Sequence, residues 1–233
     1  YDAYLPSVRL TNLTILITDD GRMRLYYTAD DQLYLDNGDQ EITLDMAGAT
    51  GFVALSLDRF LGLSAALDRS GRLHVYQQHI RVGDFDLGLS VEADLTAMVA
   101  MARGGGSIFA SDGQCVVLTD SSGRARKRLD THYTIGQMAC SPDGRYLALC
   151  DEETGVIRVY DGEDLTAGYQ RFAIDLVAKA VQVQLLAEMP PPLVALKALT
   201  IANDGTLAFA MSGVICVTDV SQMDRLPRPQ TLL

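Results

Sequence analysis

The sequence predicts an all-β fold built from one repeated unit of short antiparallel strands, and three observations carry that expectation. Residues 137–161, QMACSPDGRYLALCDEETGVIRVYD, hold one such unit, in which SPDG is a turn with a mechanism. Pro142 presets its φ, Asp143 can accept a bond from the backbone ahead, and Gly144 tolerates positive φ. The runs YLALC and VIRVY follow, rich in β-branched and aromatic residues and separated by DEETG, so three strands of a meander are legible. Four further stretches echo this one.

Aligned on the residue that closes the third strand, the stretches are LYLD to Asp36, LHVYQ to Gln77, VVLTD to Asp120, IRVYD to Asp161 and ICVTD to Asp219, at spacings of 41, 43, 41 and 58. The first three spacings match the roughly 40–45 residues of a four-stranded β-propeller blade. First strands are expected at LTILI, FVALS, TAMVA, QMACS and ALTIA, whose small and β-branched residues suit an innermost position covered on both faces. The runs EITLDM, IRVGDFDL, RARKRLD and YQRFAID are more polar, as outer edges require. Residues 1–10, YDAYLPSVRL, fall in outer-strand register and are read as completing the last blade, because two prolines make the tail SQMDRLPRPQTLL a poor strand.

At SPDGRYLA and VIRVYD the chain resembles the WD-repeat β-propeller family, which usually reads IRVWD where Tyr160 stands here. The resemblance covers nearly the whole chain and is strongest at 137–161, while the family's Gly-His and Trp-Asp pairs are absent. The expected architecture is therefore all-β: a propeller of five blades of four antiparallel strands, with an insertion of about 17 residues after the fourth blade. Residues 1–233 are expected to form a single β-propeller domain excised from a longer protein, since the chain begins at Tyr1 with no signal-like segment.

Composition narrows the function classes. Apolar residues make up 48% and charged residues 21%, and no apolar run approaches the roughly 20 residues that span a bilayer, so a soluble protein without membrane insertion is expected. A net charge of −11 repels a phosphate backbone, which argues against nucleic acid as a partner. Cys115, Cys140, Cys150 and Cys216 each lie in an apolar strand-like run without metal-ligand spacing. They read as unpaired core thiols, with hairpin register offsetting Cys140 from Cys150 by about three residues, and reduced thiols point to the cytoplasm.

Each candidate chemistry meets a plainer alternative. The acidic run DDQLYLDNGDQE, 30–41, departs from the EF-hand pattern and reads as a strand ending in an Asn37-Gly38 hairpin turn. In RARKR, 124–128, the residues Arg124, Arg126 and Arg128 would share a strand face able to dock an acidic partner, but a solvated outer strand protected from edge pairing by charge is the favoured reading. ARGGG, 102–106, lacks the Lys-Ser or Lys-Thr of a phosphate loop and reads as a loose turn. His74, His79 and His132 show no paired spacing. No carboxylate stands at the expected first-strand starts, where a five-bladed propeller glycosidase would carry its acid and its nucleophile or base; Asp94 is merely adjacent.

No metal and no cofactor are expected. The reading that remains is a noncatalytic module mediating protein–protein or interdomain interaction, its partner a protein or another domain of the same chain. The alternative is a propeller that binds a small ligand or carbohydrate, or acts as an enzyme such as a glycosidase. The insertion 176–195 is expected either to be the recognition element, through Leu176, Val177, Val181, Val183, Leu185, Leu186, Pro190, Pro191, Pro192 and Leu193, or equally to cap the ring's own channel or shield a blade edge. A regular blade closes without it, and its apolar residues must pack on something. Helical and strand periodicities fit it equally well, and the three prolines are extended in either case. By the resemblance, such an insertion emerges on the face the family most often uses for partners.

Overall fold

The structure, a computed structural model, describes residues 12–17, 23–29, 32–36, 41–44, 49, 51–58, 62–92, 95–124, 127–165, 170–175, 196–211 and 214–220. The chain divides into two compact units, Tyr1–Arg126 and Lys127–Leu233. The expected outer strand 1–10, the insertion 176–195 and the tail 221–233 lie outside the described residues.

In the first unit, β1 (Asn12–Ile17), β2 (Met23–Ala29), β3 (Gln32–Asp36) and β4 (Glu41–Thr43) form one antiparallel sheet in chain order. A second sheet orders β5 (Phe52–Asp58), β6 (Leu63–Asp68), β7 (Arg72–Gln77) and β8 (Ile80–Asp86) in the same way. Three further strands, β9 (Met98–Met101), β10 (Ile108–Ser111) and β11 (Cys115–Thr119), pair consecutively. The second unit opens with β12 (Lys127–Asp130). Its sheets are β13 (Ile135–Cys140), β14 (Tyr146–Asp151), β15 (Val156–Asp161) and β16 (Gln170–Asp175), then β17 (Leu196–Ile201), β18 (Thr206–Met211) and β19 (Val214–Asp219). Among the described residues the one helical element is a single 3₁₀ turn, Arg103–Gly105.

These elements follow from local chemistry. The five expected first strands coincide with β1, β5, β9, β13 and β17, and β3, β15 and β19 end on Asp36, Asp161 and Asp219 as the alignment requires. Of the run RARKRLD, Lys127–Asp130 form β12, in which Leu129 alone is buried, and Ala125 and Arg126 lie outside the described residues. β3 and β4 pair antiparallel with Asp36 opposite Glu41, and the expected Asn37-Gly38 turn lies outside the described residues. Cys140 pairs with Leu147 in β14, three residues from Cys150, which is the expected offset, and all four thiols are free.

Each unit has its own core. Leu67, Leu73 and Val75 of the second sheet pack with Ile108, Ala110 and Val117 in the first unit. In the second unit, Ala148, Ile157 and Val159 pack against Ile201, Leu207 and Phe209. Each such Leu, Ile, Val or Phe contributes about 1.5–3 kcal/mol on burial. In β6 and in β14 all six residues are buried, so these middle strands are apolar on both faces rather than alternating.

Two glycines let backbones approach where a side chain would not fit. Gly71 has φ +80°, and a Cβ there would strike the carbonyl of Leu89; at Gly162 a Cβ would strike the carbonyl of Gly144. Neither neighbour is a flexible side-chain tip. Gly71→Ala and Gly162→Ala should each destabilise their unit by about 2 kcal/mol or more, read as a lower urea midpoint with unchanged m. An unchanged midpoint in both would show that these turns are looser than described.

Candidate functional site

The second strand of three sheets ends on, or is followed directly by, an aspartate that is largely withdrawn from water: Asp68 and Asp151 close β6 and β14, and Asp112 follows β10. A buried carboxylate must be bonded, and each of these is. Asp68 Oδ1 accepts from the Ser70 amide at 2.9 Å, the Ser70 hydroxyl at 2.7 Å and the Arg72 amide at 3.0 Å. Asp112 Oδ1 accepts from the amides of Gln114 and Cys115, and its Oδ2 from the amide of Ser90 at 3.1 Å. Asp151 Oδ1 accepts from the amides of Glu153 and Thr154.

The second oxygen of Asp68 lies 3.0 Å from His74 Nε2, and both side chains are fully buried. A carboxylate can only accept, which assigns the ring proton to Nε2. Ser64, also fully buried, lies on the same sheet face, since His74 pairs with Ala66 and Tyr76 with Ser64. Serine, histidine and aspartate are the residue types of a nucleophile, base and orienter. Yet Ser64 Oγ and His74 Nδ1 each have no hydrogen-bond partner, so the nucleophile–base bond is missing, and no substrate reaches side chains with no exposed surface. The Phe52 ring stands edge-on to His74 at 5.2 Å, which makes the set part of the packing.

In the second unit, Asp151 Oδ2 accepts from Arg158 Nη1 at 3.2 Å, and the Arg158 guanidinium lies over the Tyr133 ring, 4.2 Å from its centre. Tyr133 in turn meets Tyr160, hydroxyl to hydroxyl at 3.1 Å. Burial, helped by that contact, raises the Tyr133 phenol well above its usual range and keeps it neutral. Burial favours a neutral Asp151, but the bonds from Thr154, Arg158 and Glu153 outweigh it and hold the carboxyl below its ordinary 3.8. Burial also pushes Cys140 up to about 12 and Cys150 up to about 11, so neither is a thiolate nucleophile near neutrality.

The other sequence candidates settle as follows. The ten residues of the expected recognition element, from Leu176 to Leu193, lie outside the described residues. Of the basic run, Arg124 precedes β12, Lys127 pairs with Asp164 at 3.2 Å and Arg128 with Asp130 at 2.9 Å, so those last two cations are each met by a carboxylate; Arg126 lies outside the described residues. In 102–106 the Gly104 amide donates to the Asp58 carboxylate, which occupies the place an anion would need. His79 and His132 are exposed. Among the described residues no group of three or more His, Cys, Asp or Glu is arranged to hold a metal ion, and no helix is long and apolar enough to cross a membrane.

Sequence reasoning followed the aspartate that closes the third strand and missed the buried one that closes the second. The signal was present, as an acid at the end of an apolar run and a few residues ahead of the next: ALD, FASD and ALCD.

Asp68→Ala should cost about 2–4 kcal/mol, because it orphans three amide or hydroxyl donors and the histidine, whereas Ser64→Ala should be neutral or slightly stabilising. Urea denaturation of both variants checks this, and a large loss from Ser64→Ala would show a bond to its hydroxyl. Because the folded-state value of Asp151 is lowered, its contribution is present above about pH 4 and disappears as pH falls through the lowered value. Asp151→Asn should therefore cost about 1–2 kcal/mol at neutral pH, with the gap to wild type closing below about pH 4. A gap independent of pH would mean that shape rather than charge holds Arg158.

No protein-family model and no curated protein sequence matches the chain. Solved structures do. One is KlHsv2 with loop 6CD replaced by a Gly-Ser linker, at TM-score 0.60 and 15% identity over 89% of this chain. Another is a chain of the mitotic checkpoint complex, at TM-score 0.61 and 12% identity over 89% of this chain. The matched region spans 64% and 60% of those chains, less than two thirds of either. With 1116 solved chains matching, a likeness this widely shared names no function by itself. These neighbours suggest a WD40-like propeller fold.

Proposed function

We propose that the chain is a noncatalytic propeller module, cytoplasmic and free of cofactors, that presents its loops to another protein or to another domain of its own chain. Residues 1–233 serve as one repeat domain in this reading. The observation that carries it is the connection between β16 and β17. Elsewhere the outer strand reaches the next first strand in eight residues (β4 to β5), eleven (β8 to β9) or four (β12 to β13), but here in 20. Asp175 pairs with Val156, so β16 ends at the same end of its sheet as the turn built on Asp151. Residues 176–195 thus leave the sheet from an end where the turn is fixed by a buried carboxylate, a rigid base for a binding segment. The checkpoint neighbour, solved in a multi-protein complex, supports protein partners.

The polar groups available for chemistry support the noncatalytic reading, since Asp68, His74, Asp151, Arg158 and Tyr133 are engaged in holding strands and turns. Replacing 177–193 with a short Gly/Ser linker tests the proposal. A structural neighbour carries a loop replacement of that kind. The expected result is a melting temperature within about 2 °C of the parent, with specific loss of proteins that crosslink to the intact chain in source-cell extract. Aggregation with a large fall in melting temperature would assign the segment to the core instead.

A further inference from the structure

Two polar atoms in the interior of the second sheet, Ser64 Oγ and His74 Nδ1, have no hydrogen-bond partner, and the strand register puts both on one face. Ser64 pairs with Tyr76 in one row of that face, and Ala66 with His74 in the next. By alternation Asp68 and Arg72 stand one row further on. The side chains of Ser64, Asp68 and His74 are all fully buried.

The imidazole is fixed at its Nε2 edge, which lies 3.0 Å from Asp68 Oδ2 and carries the ring proton. Nδ1 is therefore an acceptor. Since the two ring nitrogens point in nearly opposite directions, Nδ1 is turned away from Asp68, to the side of the ladder on which Ser64 stands. The Ser64 hydroxyl can supply the donor that Nδ1 requires. Diagonal neighbours of this kind stand roughly 7–8 Å apart, a gap that two short side chains do not close by themselves. Ala66, directly opposite His74, brings only a methyl group between them.

Complementary groups left orphaned side by side in an interior cost the fold more than a bridge between them would. The bridge has to be small. Leu44, Phe52, Ala66 and Tyr76 form one buried cluster on this face, and the Phe52 ring stands edge-on to the imidazole at 5.2 Å, so the walls are packed side chains with no opening for a larger ligand.

We propose that His74 Nδ1 and Ser64 Oγ form a buried binding site for a single water molecule, which donates one hydrogen to Nδ1 and accepts the hydrogen of the Ser64 hydroxyl. Asp68 Oδ1 then holds the turn, Oδ2 holds one edge of the ring, and the water returns the other edge to the strand that carries Asp68. The chain of bonds closes in one register of β6 on β7, because a slip of one residue sends Ser64 and His74 to opposite faces. It lies within a single sheet and stands independently of the role given to 176–195.

A bridging water gains in bonds about what it costs to immobilise, so the site is read by counting waters rather than by stability. Oxygen-17 relaxation dispersion counts waters held inside a fold. Ser64→Val, which removes the hydroxyl and fills its surroundings with methyl groups, should hold one long-lived water fewer than the unsubstituted chain. An unchanged count overturns the proposal. Where Ser64→Val does not fold, diffraction from the unsubstituted chain decides: a water within about 2.7–3.2 Å of both Nδ1 and Oγ is the expected result. A direct bond between the two side chains, or no water between them, overturns it.

Discussion

A carboxylate taken out of water at the end of a strand has to be satisfied by whatever the chain brings within reach, and much of the local order here depends on how that is done. Asp68, Asp112 and Asp151 each bind the amide two residues ahead and another three or four ahead, so the turn into the third strand is made without exposing those amides. One oxygen is thereby committed to the turn. The other is free to choose a distant partner, and the three sheets choose differently: His74, the backbone of Ser90, and Arg158. The shared half of the device sets the turn, and the variable half ties each turn to its own surroundings.

At the opposite ends Asp143 and Asp204 are exposed, Asp120 and Asp161 half-buried, and Asp58, which closes β5, buried. Asp143 and Asp204 bond amides two residues on in the first hairpins, while Asp120 and Asp161 do so after the third strands. Losing one of these costs a turn its preference but leaves no buried charge unpaired. The long β16–β17 connection leaves from the end whose turns are anchored on buried carboxylates.

Much of this was legible in the sequence. Turn chemistry at SPDG and the recurring terminal aspartate placed the strands because those signals are local: a proline, an aspartate and a glycine fix a hairpin whatever surrounds them. What escaped depends on register and stacking. Nothing local says that Tyr133 will meet Tyr160, or that Arg158 will lie between a tyrosine ring and a carboxylate 7 residues behind it. His74 was rightly set in a strand, but its bond to Asp68 needs the pairing of β6 with β7 before it exists. Exposure escaped for the same reason: β14 and β18 read alike, and only the three-dimensional neighbours show that one is covered on both faces and the other on one.

That contrast separates two needs of a terminal sheet that are easily confused. β19 is the last described strand of its sheet, and a fourth strand from any source would extend the ladder in the plane of the sheet. Such a strand leaves the broad face where it was, because face and edge point in perpendicular directions and the sheet-to-sheet spacing of roughly 10 Å is filled by side chains, not by hydrogen bonds. Ala198, Ala208, Ala210, Ile215 and Val217 are therefore not accounted for by completing the ladder. In stacked repeats each unit draws its stability from the neighbours on either side, and a terminal unit whose outer face is to stay wet needs polar residues there. This face has Thr200 and little else of that kind beyond the Thr206–Asp219 row at its margin, so its composition is that of a face made to be covered.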